Sequence, residues 1–129
     1  MSGFTDYLED ALLKHVFTNT AYTSPTTVYA ALFTVAPSDT GGGTEVSGGA
    51  YARQSMAFSV SGTGTLATNS AAVEYPTATA DYGTVVAVGI FDASTSGNLL
   101  AYANLTVSKT VSSGDVFRFD AGDVDITLT

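Results

Sequence analysis

Gly41-Gly42-Gly43-Thr44-Glu45-Val46-Ser47-Gly48-Gly49-Ala50-Tyr51-Ala52-Arg53-Gln54 packs five glycines into its first nine positions and holds the only arginine before residue 100. Such a run lets the backbone turn repeatedly through positive φ, so 41–50 reads as a loop. Tyr51 to Val60 then reads as the strand it feeds. Working outward, the period-two segments are Thr27 to Ala36, Ala71 to Tyr75, Thr84 to Phe91, Leu99 to Val107, Asp115 to Asp120 and Val124 to Thr129. Gly, Ser, Asp or Pro clusters separate most of them. Short strands with no later helical pattern predict a mainly β fold, an antiparallel β-sandwich of jelly-roll-like type over 27–129. In the last segment Val124, Ile126 and Leu128 alternate with Asp123, Asp125, Thr127 and Thr129, one dry face and one wet. Segments 28–35 and 85–91 are instead apolar on both faces. A two-layer sandwich covers one face of each sheet, so the N-terminal helix or a neighbouring subunit is expected to cover the other.

That helix is predicted within 1–19. Phe4, Tyr7, Leu8, Ala11 and Leu12, with His15 and Val16 as further candidates, recur at the spacing of one apolar stripe, while Asp6, Glu9, Asp10 and Lys14 mostly take the other side. Ser2 or Thr5 can cap it, early carboxylates and the late Lys14-His15 pair suit its dipole, and Asn19 with Ser24-Pro25 ends it. Helix and strands together make one domain, 1–129, because 129 residues suffice to bury a core without staples.

Composition narrows the function. Seven Tyr and seven Phe supply the bulky core, and only 12% of residues are charged, about half the usual share for a globular domain. A surface so poor in charge suits a subunit packed against neighbours. Lys14, Arg53, Lys109 and Arg118 face twelve carboxylates, for a net charge of −8. Without a basic cluster, nucleic acid is excluded as a partner. No apolar run approaches the ~20 residues of a membrane span, so no membrane partner is expected either. The N-terminus lacks a signal pattern, which predicts folding in the cytoplasm of the producing cell.

The search for catalytic chemistry is negative. With no Cys, thiolate nucleophiles and disulfides are impossible, and His15 is the single histidine. Gly62-Thr63-Gly64-Thr65-Leu66-Ala67 loosely fits a dinucleotide pattern but lies between strand-like segments, which makes it a turn. The triple glycine lacks the Gly-Lys-Ser/Thr of a phosphate loop, and no nucleophile elbow exists. Asp115, Asp120, Asp123 and Asp125 form the densest carboxylate group; a solvated strand edge accounts for it better than bound Ca²⁺. Asp81 and Asp92 sit in turn sequences, where Asp bonds nearby backbone N–H groups. The expectation is therefore no catalytic residue, no cofactor and no metal. Arg53, a lone guanidinium at the start of a strand, is expected to fork onto a carboxylate or loop carbonyls, within the chain or on an adjacent subunit.

Taken in order, 27–37, 41–54, Tyr75 to Thr84, Gly89 to Ala93, Gly97 to Tyr102 and Ser113 to Asp115 resemble a family of small virion proteins of tailed bacteriophages. These are often labelled tail fibre proteins and are similar to capsid decoration or cement subunits. The resemblance covers nearly the whole chain and implies a phage structural protein, assembled in the host bacterial cytoplasm into the virion. Three function classes follow, in this order. First is a capsid decoration or cement subunit on the outer surface, a homo-oligomer contacting the major capsid protein. Second is a tail fibre or tail accessory subunit, in which Tyr22, Tyr51 or Tyr82 would stack on a host surface glycan. A virion enzyme comes last. Arg53, Tyr51, Phe4, Leu8 and Leu12 are the structural and interface candidates.

Overall fold

The computed structural model describes residues 2–62 and 64–127. Strand β1 (Ser2–Phe4) leads into helix α1 (Asp6–Phe17), followed by β2 (Tyr29–Val35), β3 (Thr44–Glu45), β4 (Gln54–Ser55) and β5 (Phe58–Val60). Then come β6 (Leu66–Asn69), β7 (Val73–Glu74), β8 (Gly83–Phe91), β9 (Leu99–Val111), β10 (Arg118–Phe119) and β11 (Asp125–Thr127). One sheet runs β1-β9-β8-β2-β3, with β4 also on β2; the other layer is made of β11-β6-β5 and the ribbon β10-β7. Every pairing is antiparallel. The fold is thus mainly β, an open antiparallel sandwich with one N-terminal helix.

Side chains of both layers meet in one core. Ala30, Leu32, Val85, Val88 and Ile90 of the large sheet pack against Val73, Tyr75, Phe117, Phe119, Val124 and Ile126. Tyr75, 2% exposed, stands at the centre. Its ring lies parallel to Tyr51 and edge-on to Phe117 and Phe119, and its hydroxyl donates to the Ala30 carbonyl at 2.7 Å. Buried tyrosine is tolerated only with such a partner. Asn69, the other deeply buried polar side chain in the β layers, donates to the carbonyls of Ala71 and Asp120 and accepts from the Val124 N–H. It thereby ties β6 to the turn before β11.

Most predicted strands are present in trimmed form, β8 and β9 start earlier or run further than expected, and one is divided. The expected strand 51–60 is two strands on different layers: β4 pairs with β2 of the large sheet and β5 with β6 of the small one. Between them the Met56 N–H still bonds Val28 of the large sheet while the Ala57 carbonyl already accepts from Ser70 of the small one, so the chain changes layer at this point. Period two survives such a crossing, which is why the sequence reads straight through it. The end of the expected strand 124–129 lies outside the described residues, as does Thr63 of the turn at 62–67.

On the outer face of the large sheet the helix, one of the two expected covers, does not lie over β2 and β8. Ala31, Phe33 and Ala87 are buried there, yet α1 touches only β1 and β9 among the described elements. The cover comes from the sheet itself. Phe33 and Phe91 lie at opposite ends of the β2–β8 ladder and lean together over the Ala31–Gly89 pair until their rings stack, with centroids 6.2 Å apart. A Cβ on Gly89 would meet the Phe33 ring at 2.6 Å and Leu99 at 2.8 Å, so a side chain here would push the stacked ring and Leu99 aside.

Helix α1 starts where the period predicts a cap. Thr5 has extended φ and ψ, and its side chain accepts from the Leu8 N–H. Its hydroxyl also donates to Leu99 O at 2.6 Å and Leu100 O at 3.1 Å, pinning the helix start to β9. At the other end Asn19 takes φ 56° while the Thr18 and Thr20 N–H groups both close onto Lys14 O. Thr5→Val keeps the shape and removes the hydroxyl, losing a cap and leaving buried groups unpaired. We expect a loss of about 2 kcal/mol, read as a melting point lower by ~6 °C; an unchanged melting point would refute the pinning.

Candidate functional site

The glycine loop and the strand it feeds build the most connected polar cluster in the molecule. Gly41, Gly42, Gly43, Gly48 and Gly49 all have positive φ. Gly43 is the strictest of them, because a Cβ there would sit 2.6 Å from the Val35 carbonyl oxygen. The loop brings Glu45, Tyr51 and Arg53 together. Arg53 Nε and Nη2 grip the two Glu45 carboxylate oxygens at 2.9 Å each. Nη1 donates to the carbonyls of Ala93 (3.0 Å) and Ser96 (2.7 Å) in the loop joining β8 to β9. The guanidinium carbon lies 3.6 Å from the Phe91 ring centroid, closing the outer-face stack from above. Asp92 braces the same loop by accepting from the Asn98 N–H and side-chain amide.

Tyr51 completes the cluster from inside. On its open edge β2 pairs with β4 at Tyr29–Ala30 and with β3 from Phe33, which leaves Leu32 between the two partners. The Leu32 N–H donates to the Tyr51 hydroxyl at 3.0 Å, and that hydroxyl donates onward to Glu45 Oε2 at 2.7 Å. A side chain thus fills a gap in the ladder. Burial pushes the Tyr51 hydroxyl far above its ordinary pKa, and the bond to Glu45 adds to this. For Glu45, burial alone would raise the carboxyl, but the bonds from Arg53 and Tyr51 and the guanidinium charge outweigh it and hold it below the ordinary range.

The sign of the acid response follows. A carboxyl whose folded pKa is lowered stabilises the protein at neutral pH, and that contribution is lost as pH falls from the ordinary 4.5 through the folded value. Melting points measured across this window should fall in the wild type and fall less in Glu45→Gln. Equal acid limbs would remove Glu45 as the source.

What this cluster can do chemically is hold two loops in place. Both Glu45 oxygens and all three Arg53 nitrogens are engaged, and Arg53 has a side chain only 8% exposed. His15, exposed on α1, accepts from the Tyr22 N–H at 3.2 Å. Asp81 and Asp92 bond the backbone N–H groups of Ser113 and Asn98 in separate turns. Asp115 and Asp123 bond the N–H groups of Ser112 and Asp120, while Asp120 pairs with Arg118. Among the described residues no group of three or more metal-ligating side chains forms, and no helix is long and apolar enough to cross a membrane.

The aromatics expected to face a glycan divide. Tyr82 is buried and donates to the Pro76 carbonyl; Tyr51 is half-buried, with its hydroxyl engaged and its ring against Tyr75 and Tyr82. Tyr22 stays half-exposed near Tyr7 and Asp92, its hydroxyl raised by burial and by those neighbours. Sequence reasoning passed over Glu45. The signal was present: one acid between two glycine clusters, eight residues before the lone Arg.

Phe4, Leu8 and Leu12 are brought together at α1, each half-buried, with Phe4 packed against the core. No residue of α1 is fully buried. Phe4, Glu9, Leu12, Leu13, Val16 and Phe17 line an open groove along the helix. Leu13, Val16 and Phe17 are 59%, 66% and 77% exposed and share one side of the helix, whereas the other strongly exposed large apolar side chains, Val35, Val60 and Val107, stand on separate strands.

No curated protein matches the chain. A family model described as Podophage GP4 fiber I protein gp80 matches residues 3–127, from β1 to the end of β11. A match of that length takes in the helix, the glycine loop and both layers of the sandwich, and the chain belongs to this phage fibre family of virion structural proteins.

Proposed function

We propose that the chain is a non-enzymatic structural subunit of a phage tail fibre, folded in the host cytoplasm and held in the virion by packing rather than by chemistry. The observation that carries the reading is the exposed apolar face of α1 on a subunit whose family is described as a fibre protein. A stable domain with its own core and its own polar clamp has no need of such a face except to join something else. The head-decoration role, ranked first from the sequence alone, makes the same demand for a packing surface, and the family description moves the fibre reading ahead of it. Gold-labelled antibody against the chain, imaged on intact virions, decides. Label at the tail is the expected result. Label spread over the head would replace the fibre role with head decoration, and absence from purified virions would overturn both.

A further inference from the structure

An ordinary surface helix has one apolar stripe, about 100° wide or somewhat more, turned toward the core. With about 100° per residue, Leu8, Ala11 and Leu12 of α1 form that stripe. Leu12, Val16, Leu13 and Phe17 continue it around the helix into a second apolar sector that none of the described residues covers. The floor of this second sector is Phe4, held in place because Thr5 is bonded to β9. The groove is therefore fixed rather than formed on contact.

Charge selects its occupant. Glu9 lines the groove itself, and Asp6 and Asp39 lie at the same end, where Asp6 N–H bonds Asp39 O and the Asp39 carboxylate accepts from Tyr102. Asp39, Asp6 and Glu9 all act to raise the Tyr102 hydroxyl, after the bond to Asp39 and burial, so their fields add at this spot. The helix's one lysine, Lys14, is paired with Asp10 at 2.9 Å and leaves that end uncompensated. A second copy would bring the same carboxylates and another net charge of −8 against them. A partner with Lys or Arg beside its apolar residues meets an apolar floor and an acidic rim.

We propose that the α1 groove receives an amphipathic segment of another virion protein, its apolar face bordered by basic residues. The inference rests on the reading of the chain as an assembled virion subunit, but its test uses the isolated chain, so failure here leaves the antibody result standing and the two can be told apart. The probe is a synthetic peptide of leucine and lysine patterned as an amphipathic helix, titrated at physiological salt and followed by fluorescence anisotropy. Saturable binding is expected, with none for the leucine–glutamate counterpart. The double variant Leu13→Ser/Phe17→Ser alters only exposed side chains and no charge; with its circular dichroism unchanged, it should bind at least tenfold more weakly. Equal binding by the double variant would mean bulk charge attraction and would overturn the proposal, as would no binding by the wild type. Sedimentation showing self-association of the wild type that the double variant loses would make a second copy the occupant and also overturn it.

Discussion

Tyr75→Ala is expected to lower the unfolding free energy by about 4 kcal/mol, the scale of removing a large aromatic from a packed core, and the melting point by ~15 °C. The size follows from what the ring touches. Tyr51, Phe117 and Phe119 all lose a face or an edge at once, and the residues around them belong to both layers, so no single side chain can fall into the space. Tyr75→Phe separates the two contributions, since it keeps the ring and removes only the bond to Ala30 O. That variant should cost about 1 kcal/mol, the net worth of one hydrogen bond. Denaturant unfolding of both proteins measures the pair. If Tyr75→Ala lost no more than Tyr75→Phe, the ring would not be the keystone of the core.

Arg53→Ala should cost about 3 kcal/mol in the isolated domain, near the lower end of the range for breaking a buried ion pair. The lower end applies because the Glu45 side chain is 26% exposed and water can reach it once it is alone. Every partner of Arg53 in the structure is within the chain, so the loss belongs to the domain and not only to assembly. Arg53→Lys restores a charge but not the planar fork, and it should recover less than half of the loss. In Glu45→Gln the further effect of Arg53→Ala should shrink, since the pair is already broken. Melting of all four proteins checks this; an Arg53→Ala domain that melts with the wild type would refute the clamp.

The parts of this fold legible in the sequence are those decided locally. Helix α1 carries a 3.6-residue period, and β2, β8 and β9 are long runs of apolar residues between turn residues; all four lie within a few residues of their expected positions. Strand β1 escaped notice because three residues before a helix carry no period; it is a strand only because β9 pairs with it. Strand β6 reads Leu-Ala-Thr-Asn, and its last residue is a buried amide whose partners come from residues about fifty positions later. The same limit governed the site. That Arg53 would fork was legible from its chemistry, whereas the choice of Glu45, Ala93 and Ser96 depends on two loops meeting in space. The uncovered side of α1 was legible only in part: the sequence showed one stripe with Val16 as a candidate member, whereas Val16 stands in the open beside Leu13 and Phe17, in a second sector.

The bond between Thr5 and β9 joins positions 94 residues apart in the chain. On a ribosome β1 and α1 emerge well before β9, the strand that receives them. Contacts of such long range are slow to close and come late. Until then the Phe4 floor has no fixed place, and the helix cannot offer the groove in its final form. Pulse-labelled hydrogen exchange during refolding should accordingly find the Thr5 amide protected after those of β2 and β8; earlier protection would contradict this order. A chain that stops short of β9 would accordingly carry the helix without its fixed floor, so the final form of the groove waits on a strand about ninety residues further along.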